Sequence, residues 1–190
     1  MKKLCAILLF ICIGQFANAQ FLIGGSYKRF IPANDTAKYV YKTGGGLELQ
    51  GGIGLGKKSS IMLVVTGDID ILKIDHQTNS ETKDGWLFIT GGLRKDFVFG
   101  HAKKEGAGGD REKTFFIAGN YGVSASNYTA RVTADAKKSL STKVWNAGLG
   151  VHLAGFELAY FYQNMQDVKR KGWLPVHEFK IGISILGGGK

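Results

Sequence analysis

Residues 145–163 read WNAGLGVHL, then Ala154-Gly155, then FELAYFYQ. In the first stretch Trp145, Ala147, Leu149, Val151 and Leu153 alternate with Asn146, Gly148, Gly150 and His152. In the second, Phe156, Leu158, Tyr160 and Tyr162 alternate with Glu157, Ala159 and Gln163. A period of two is the signature of a strand with unlike faces, and a two-residue link between two such runs reads as a hairpin. One face of this hairpin is large and apolar. The other is polar or very small.

The same alternation runs through the rest of the chain and predicts six more strands. Phe21, Ile23 and Tyr27 oppose Gly24, Ser26 and Lys28. Tyr41, Leu47, Leu49, Ile53 and Leu55 oppose Lys42, Glu48, Gln50 and four glycines. Ile61, Leu63, Val65, Ile69 and Ile71 oppose Thr66, Asp68 and Asp70. Leu87, Ile89, Leu93, Phe97 and Phe99 oppose Thr90, Gly92, Arg94 and Asp96. Phe115, Ile117, Tyr121 and Val123 oppose Thr114, Asn120, Gly122 and Ser124. Phe179, Ile181, Ile183 and Ile185 oppose Glu178, Lys180, Gly182 and Ser184. Each strand is expected to run about ten residues, enough for a tilted membrane-spanning strand. No helical period is sustained, and no run of 18 apolar residues offers a membrane helix. The 44% hydrophobic content excludes wholesale disorder.

Before the first strand lies a different kind of segment. Met1-Lys2-Lys3 is a basic head, Leu4 to Ile13 is apolar, and Ala17-Asn18-Ala19 has small residues where a signal peptidase needs them. Residues 1–19 are expected to be a signal peptide cleaved after Ala19. Ile11 before Cys12 is too bulky for a lipoprotein site. Cleavage removes Cys5 and Cys12, the two cysteines of the chain, so the exported protein would carry no disulfide. The barrel is assigned to residues 20–186, with a short tail at 187–190.

The connections alternate in length. Residues 31–40, 75–85, 126–142 and 164–175 are long and polar. Gly56 to Ser59 and Ala154-Gly155 are tight turns, whereas Gly100 to Glu112 is thirteen residues long. Long outside loops and short periplasmic turns are the pattern of outer-membrane barrels. The remaining question is which face looks inward. The interior of an eight-stranded barrel is only wide enough for side chains. It cannot hold four or five large apolar residues from each strand, whereas the small and polar face fits. The 28 glycines support this, ten of them falling on the polar face: Gly24, Gly44, Gly46, Gly52, Gly54, Gly92, Gly122, Gly148, Gly150 and Gly182. Aromatics cluster at both expected interfaces. A lumen network is expected from Glu48, Asp68, Asp70, Arg94, Asp96, Glu157, Glu178 and Lys180, with Lys28 and Lys42 on the same face. Arg94 is the expected partner of Asp68 and Asp70. A soluble cup with its apolar face inside is the competing arrangement.

The signal ending, the eight amphipathic strands and the final Phe179-Lys-Ile-Gly-Ile-Ser-Ile185 strand resemble small Gram-negative outer-membrane barrels of the OmpA/OmpX-like group. The resemblance spans residues 20–186 and implies fold and location rather than activity. Such barrels usually end on an aromatic, whereas this chain ends Ile185-Leu186 and then Gly187-Gly188-Gly189-Lys190. Lys113-Thr114-Phe115-Phe116-Ile117 and the segment from His177 to Ile185 also resemble the conjugative-transposon outer-membrane protein TraO, which implies a conjugative-transfer component as an alternative role.

Chemical motifs are sparse. Gly51-Gly52-Ile53-Gly54-Leu55-Gly56-Lys57-Lys58 imitates a phosphate-binding loop, but Lys58 stands where Ser or Thr is needed and a strand follows instead of a helix. His76, His101, His152 and His177 show no metal-ligand spacing. Asp68, Asp70, Ser124 and Ser126 are the few groups suggesting catalysis. A barrel enzyme acting on outer-membrane lipid is therefore an alternative, and no catalytic, cofactor-binding or metal residue is assigned. The formal charge of +10 is scattered over both ends, which argues against a nucleic-acid surface. Lys137, Lys138, Lys169, Arg170 and Lys171 in two outside loops are candidate lipopolysaccharide contacts. Asp35-Thr36-Ala37 resembles a bacterial O-glycosylation acceptor. The expectation is an all-β, eight-stranded antiparallel up-and-down transmembrane barrel in the outer membrane of a Gram-negative bacterium. It would have no cofactor, a filled polar lumen and an envelope-structural or surface-binding role through its loops. Membrane lipid and an envelope protein are the expected partners.

Overall fold

The structure, a computed structural model, describes residues 20–55, 60–74, 82–102, 111–126, 142–166 and 172–187. The signal segment, Lys57-Lys58, His76, the loop lysines 103–104 and the five candidate lipopolysaccharide contacts lie outside these residues. The strands are β1 (Phe21–Pro32), β2 (Tyr41–Gly54), β3 (Ile61–Ile74), β4 (Thr82–Ala102), β5 (Arg111–Ser126), β6 (Thr142–Leu153), β7 (Phe156–Gln166) and β8 (Trp173–Gly187). A six-residue helix, α1 (Asp35–Val40), follows β1. The strands pair in chain order, all antiparallel, and β8 returns to β1 to close the barrel. Closure leaves no free sheet edge, which is what an apolar surrounding demands of the backbone.

The register sets the shape. A walk across the ladders runs Phe21, Ile53, Leu63, Leu93, Gly119, Ala147, Tyr162, His177 and back to β1 at Ile31. It returns ten residues beyond its start. With eight strands that stagger implies a tilt of about 40°, within the usual range of such barrels.

The strands run from 11 to 21 residues, longer than the ten expected from alternation. The excess lies where the polarity pattern fades but the ladder continues. Pairing of β4 with β5 persists through Gly100, His101 and Ala102 after an irregularity between Val98 and Gly100. The thirteen-residue connection expected there thus shrinks to residues 103–110. The irregularity leaves Phe97, Val98 and Phe99 all exposed. The β6–β7 hairpin turns on Ala154 (φ 54°) and Gly155 (φ 105°). Positive φ at both central residues matches the right-handed twist of the flanking strands. The Gly155 carbonyl accepts a bond from Ser184 N at 2.9 Å, which ties the turn to β8.

Helix α1 was not expected from alternation. Asn34 Oδ1 caps it, accepting from Ala37 N at 2.7 Å. It packs against β1, β2 and β8, with Ala37 buried and Asp35 and Thr36 exposed. At the other end, the ring of Phe21 lies against Gly187. An aromatic from β1 therefore lies beside the last residue of β8.

The two wall faces differ as alternation predicts. Outward Leu49 is 73% exposed and Ile69 67%, while inward Lys28 is fully buried. An apolar belt this continuous on the outer surface would be unstable against water and is matched to hydrocarbon.

Candidate functional site

The lumen concentrates the polar chemistry of the described residues. Lys28, Arg94 and Lys180 are buried there, with Glu48, Asp68, Asp70, Asp96, Glu157 and Glu178. All eight network residues expected from sequence point inward. The structure divides them into two groups.

The group nearer the long loops is built on Lys28. Its Nζ lies 2.7 Å from Asp68 Oδ2, 3.2 Å from Asp70 Oδ2, 3.9 Å from Glu48 Oε2 and 4.0 Å from Glu178 Oε2. Lys180 Nζ bridges Glu178 Oε1 at 2.9 Å and also bonds Glu48. Ser26 Oγ donates to Glu48 Oε1 at 3.3 Å. Lys28 and Lys180 sit directly opposite each other on β1 and β8. Like charges at that spacing repel, and the four surrounding carboxylates offset the repulsion. Gly46 separates Lys28 from Asp70 along the ladder. A Cβ at Gly46 would stand 2.0 Å from Asp70 Oδ1, so the glycine makes the room in which the carboxylate sits.

The group nearer the short turns is built on Arg94. Its Nε and Nη2 donate to Asp96 at 3.0–3.2 Å, and Nη1 donates to Glu157 Oε2 at 2.7 Å. The guanidinium lies 3.6 Å from the centroid of Phe116. Gln50 and Ser184 each donate to Glu157 at 3.1 Å, and Thr114 donates to Asp96 at 3.3 Å. These bonds tie β4 to β7 across the lumen, where no ladder can. Arg94 is thus fully engaged by Asp96 and Glu157. The expected partnership of Arg94 with Asp68 and Asp70 is corrected: Lys28 holds that pair. Side-chain reach across strands decides this, and alternation does not report it. Lys42 lies within the irregularity between Tyr41 and Gly44 and is exposed, apart from the buried network.

The lumen is also less uniformly polar than expected. Phe30, Trp86, Phe88, Val144, Met165, Leu174 and Val176 form a buried apolar cluster at the long-loop end. Trp86 and Phe88 stack at 5.8 Å, and Lys28 lies 5.1 and 5.6 Å from the Phe30 and Phe88 rings. Leu22, Met62, Val64 and Leu186 pack together at the short-turn end. Between the two ionic groups the cavity lined by Glu48, Gln50, Thr66, Arg94, Glu157 and Lys180 measures about 10 Å³. That is roughly one water.

The remaining candidates stand apart. His152 Nε2 lies 3.1 Å from the Ser184 carbonyl, inside the lumen. His177 faces outward, with Nδ1 2.7 Å from Tyr160 OH. The described residues hold no cluster of three or more His, Cys, Asp or Glu arranged to bind a metal ion. Ser124 is buried in the lumen. Two aromatic belts are present on the outer wall. Phe97 and Phe115 lie 6.1 Å apart near the short turns. Trp145 and Tyr162 lie 5.8 Å apart toward the long loops, beside Tyr160 and His177 at 5.9 Å.

No protein-family model matches the chain, and no curated protein does. Solved structures do. The backbone structure of the Yersinia pestis outer membrane protein Ail in a phospholipid bilayer nanodisc aligns over 88% of this chain and 99% of its own. The identity is 11% and the TM-score 0.52. Neisserial surface protein A aligns over 88% of this chain and 96% of its own, with 9% identity and a TM-score of 0.46. The likeness to Ail is one of fold: a closed eight-stranded up-and-down barrel of the kind found in outer membranes.

Proposed function

We propose that this chain is an outer-membrane barrel with an envelope-structural or surface-binding role carried by its long-loop end, rather than a conduit or an enzyme. The observation that carries this reading is the filled lumen. Two ion-paired groups occupy it, an apolar cluster lies across one end, and the space between the groups admits about one water. Three buried cations face six carboxylates, a field that also opposes the passage of anions. The charged groups of the lumen pair with one another, which supports a structural use for them. The long-loop end is left as the surface available to a partner. In that reading the basic loop residues Lys137, Lys138, Lys169, Arg170 and Lys171 meet lipopolysaccharide phosphates, and the signal segment delivers the chain to the periplasm for insertion.

Membrane fractionation tests the reading, combined with gel mobility before and after heating. The protein is expected in the outer-membrane fraction, migrating faster unheated than boiled. In planar bilayers it is expected to give no sustained conductance. Recovery as a soluble periplasmic protein would overturn the assignment, and a stable open channel would overturn the plugged lumen.

A further inference from the structure

Arg29 faces outward from β1, between Tyr27 and Ile31, on the apolar side of the wall, and it is exposed. Among the described residues no carboxylate lies within ion-pairing distance of it. At about 2.5 Å of axial rise per residue for strands tilted about 40°, it stands about 20 Å above Phe21. The apolar band of such a barrel is about 25 Å tall. Arg29 therefore lies just inside the long-loop boundary of that band, where its guanidinium reaches the headgroup layer and can meet an anion there.

The wall beside Arg29 is not smooth. A shallow groove of about 500 Å³ crosses β6, β7, β8 and β1. Leu149, Val151, Leu158 and Ile181 line its lower part, and Phe179 and Arg29 its upper part. The ladder places Leu149, Tyr160, Phe179 and Arg29 in one row. Because the strands tilt, that row climbs from mid-wall to the boundary. Two contacts position the tyrosines that edge the groove. Tyr27 leans over β2, its hydroxyl so close to Gly45 that a Cβ there would stand 2.9 Å from it. Tyr160 is held toward His177 by the 2.7 Å bond. An apolar trough leading up to a lone cation at the membrane boundary is complementary to an acyl chain carrying a negatively charged headgroup. A guanidinium is the side chain best suited to phosphate oxygens.

We propose that this groove is a binding site for a phosphate-bearing membrane lipid, with its acyl chain along Val151, Leu158 and Ile181 and its headgroup phosphate on Arg29. The proposal rests on the membrane-barrel reading above and adds a specific lipid site to it. The site lies on the wall itself, separate from the basic loops.

The test uses the full mature chain in maltoside micelles, with bound lipid read by native mass spectrometry. Phosphatidylglycerol, a galactolipid with the same acyl chains, and inorganic phosphate are the three probes. The wild type is expected to retain phosphatidylglycerol at least about tenfold better than the galactolipid, with no competition from free phosphate. Arg29→Gln is expected to remove that preference, and Arg29→Lys to keep most of it. Ile181→Trp fills the trough and leaves Arg29 in place, so it is expected to weaken retention of both lipids. It carries the test if Arg29→Gln does not fold. Equal retention of the two lipids by the wild type, or an unchanged preference in Arg29→Gln, would overturn the site. Heat-modifiable mobility of the same samples separates these results from failure of the barrel reading, in which no variant would show the fast-migrating form.

Discussion

Gly91 and Gly92 are adjacent on β4 and illustrate the two sides of one wall. A Cβ at outward Gly91 would find its nearest neighbour at 3.8 Å. A Cβ at inward Gly92 would stand 2.0 Å from the Gly119 carbonyl oxygen. The contrast repeats. Outward Gly51 and Gly67 have nothing within 4 Å, whereas inward Gly122, Gly148 and Gly182 would strike backbone oxygens at 2.0–2.3 Å. A sheet curled into a narrow barrel compresses its concave face and opens its convex one. Glycine is therefore required inside by lack of space and is incidental outside. Gly45 and Gly187 are outward exceptions, the first set against the Lys28 carbonyl and the Tyr27 hydroxyl, the second against the Phe21 ring.

Substitutions can break that comparison, beginning with the most severe. Gly92→Val is expected to abolish the folded barrel, because the obstacle is backbone of the neighbouring strand and cannot yield without breaking the β4–β5 ladder. Loss of the fast-migrating unheated band would show it. Lys28→Met comes next. It leaves Asp68, Asp70, Glu48 and Glu178 with Lys180 alone, and removing one partner of a buried ionic group costs about 3–5 kcal/mol. Urea unfolding in micelles, followed by tryptophan fluorescence, measures the loss. Adding Asp68→Asn and Asp70→Asn is expected to recover much of it, since the stranded charges are then gone.

On the convex face the penalty has a different origin. Val65→Arg near mid-wall is expected to cost about 2–4 kcal/mol in bilayers, the usual penalty for a cation on the lipid face of a barrel. The cost should shrink in detergent, where the cation reaches water more easily. Ala154→Gly is expected to stabilise by about 1 kcal/mol, because a residue with a Cβ pays to occupy the left-handed region at φ 54°. Gly91→Ala is expected to lie within about 0.5 kcal/mol of wild type, as an unobstructed surface change should. A large effect there would mean that the convex wall is crowded by something besides lipid.

Much of this was legible without coordinates. Alternation in Leu47–Ile53 and Phe179–Ile185 marked the lipid face, and the glycines marked the crowded one. The apolar lumen residues were not legible. Phe88, Phe116 and Phe161 occupy inward positions between outward apolar or aromatic neighbours, so locally they blur the alternation instead of announcing a plug. Helix α1 was hidden for another reason. Six residues are too few to show a helical period, and its stability comes from the Asn34 cap and from docking Ala37 on the barrel.

The sequence by itself determined the strands, their two unlike faces, and the small and polar part of the lumen lining, because a two-residue period acts along one strand at a time. The tertiary structure alone decided who meets whom. Lys28 takes Asp68 and Asp70, Arg94 takes Asp96 and Glu157, and Arg29 comes to stand over a groove made by three other strands. These partnerships depend on a ten-residue stagger and on side chains reaching past glycines or across the lumen. Both are properties of the closed barrel and of no single strand.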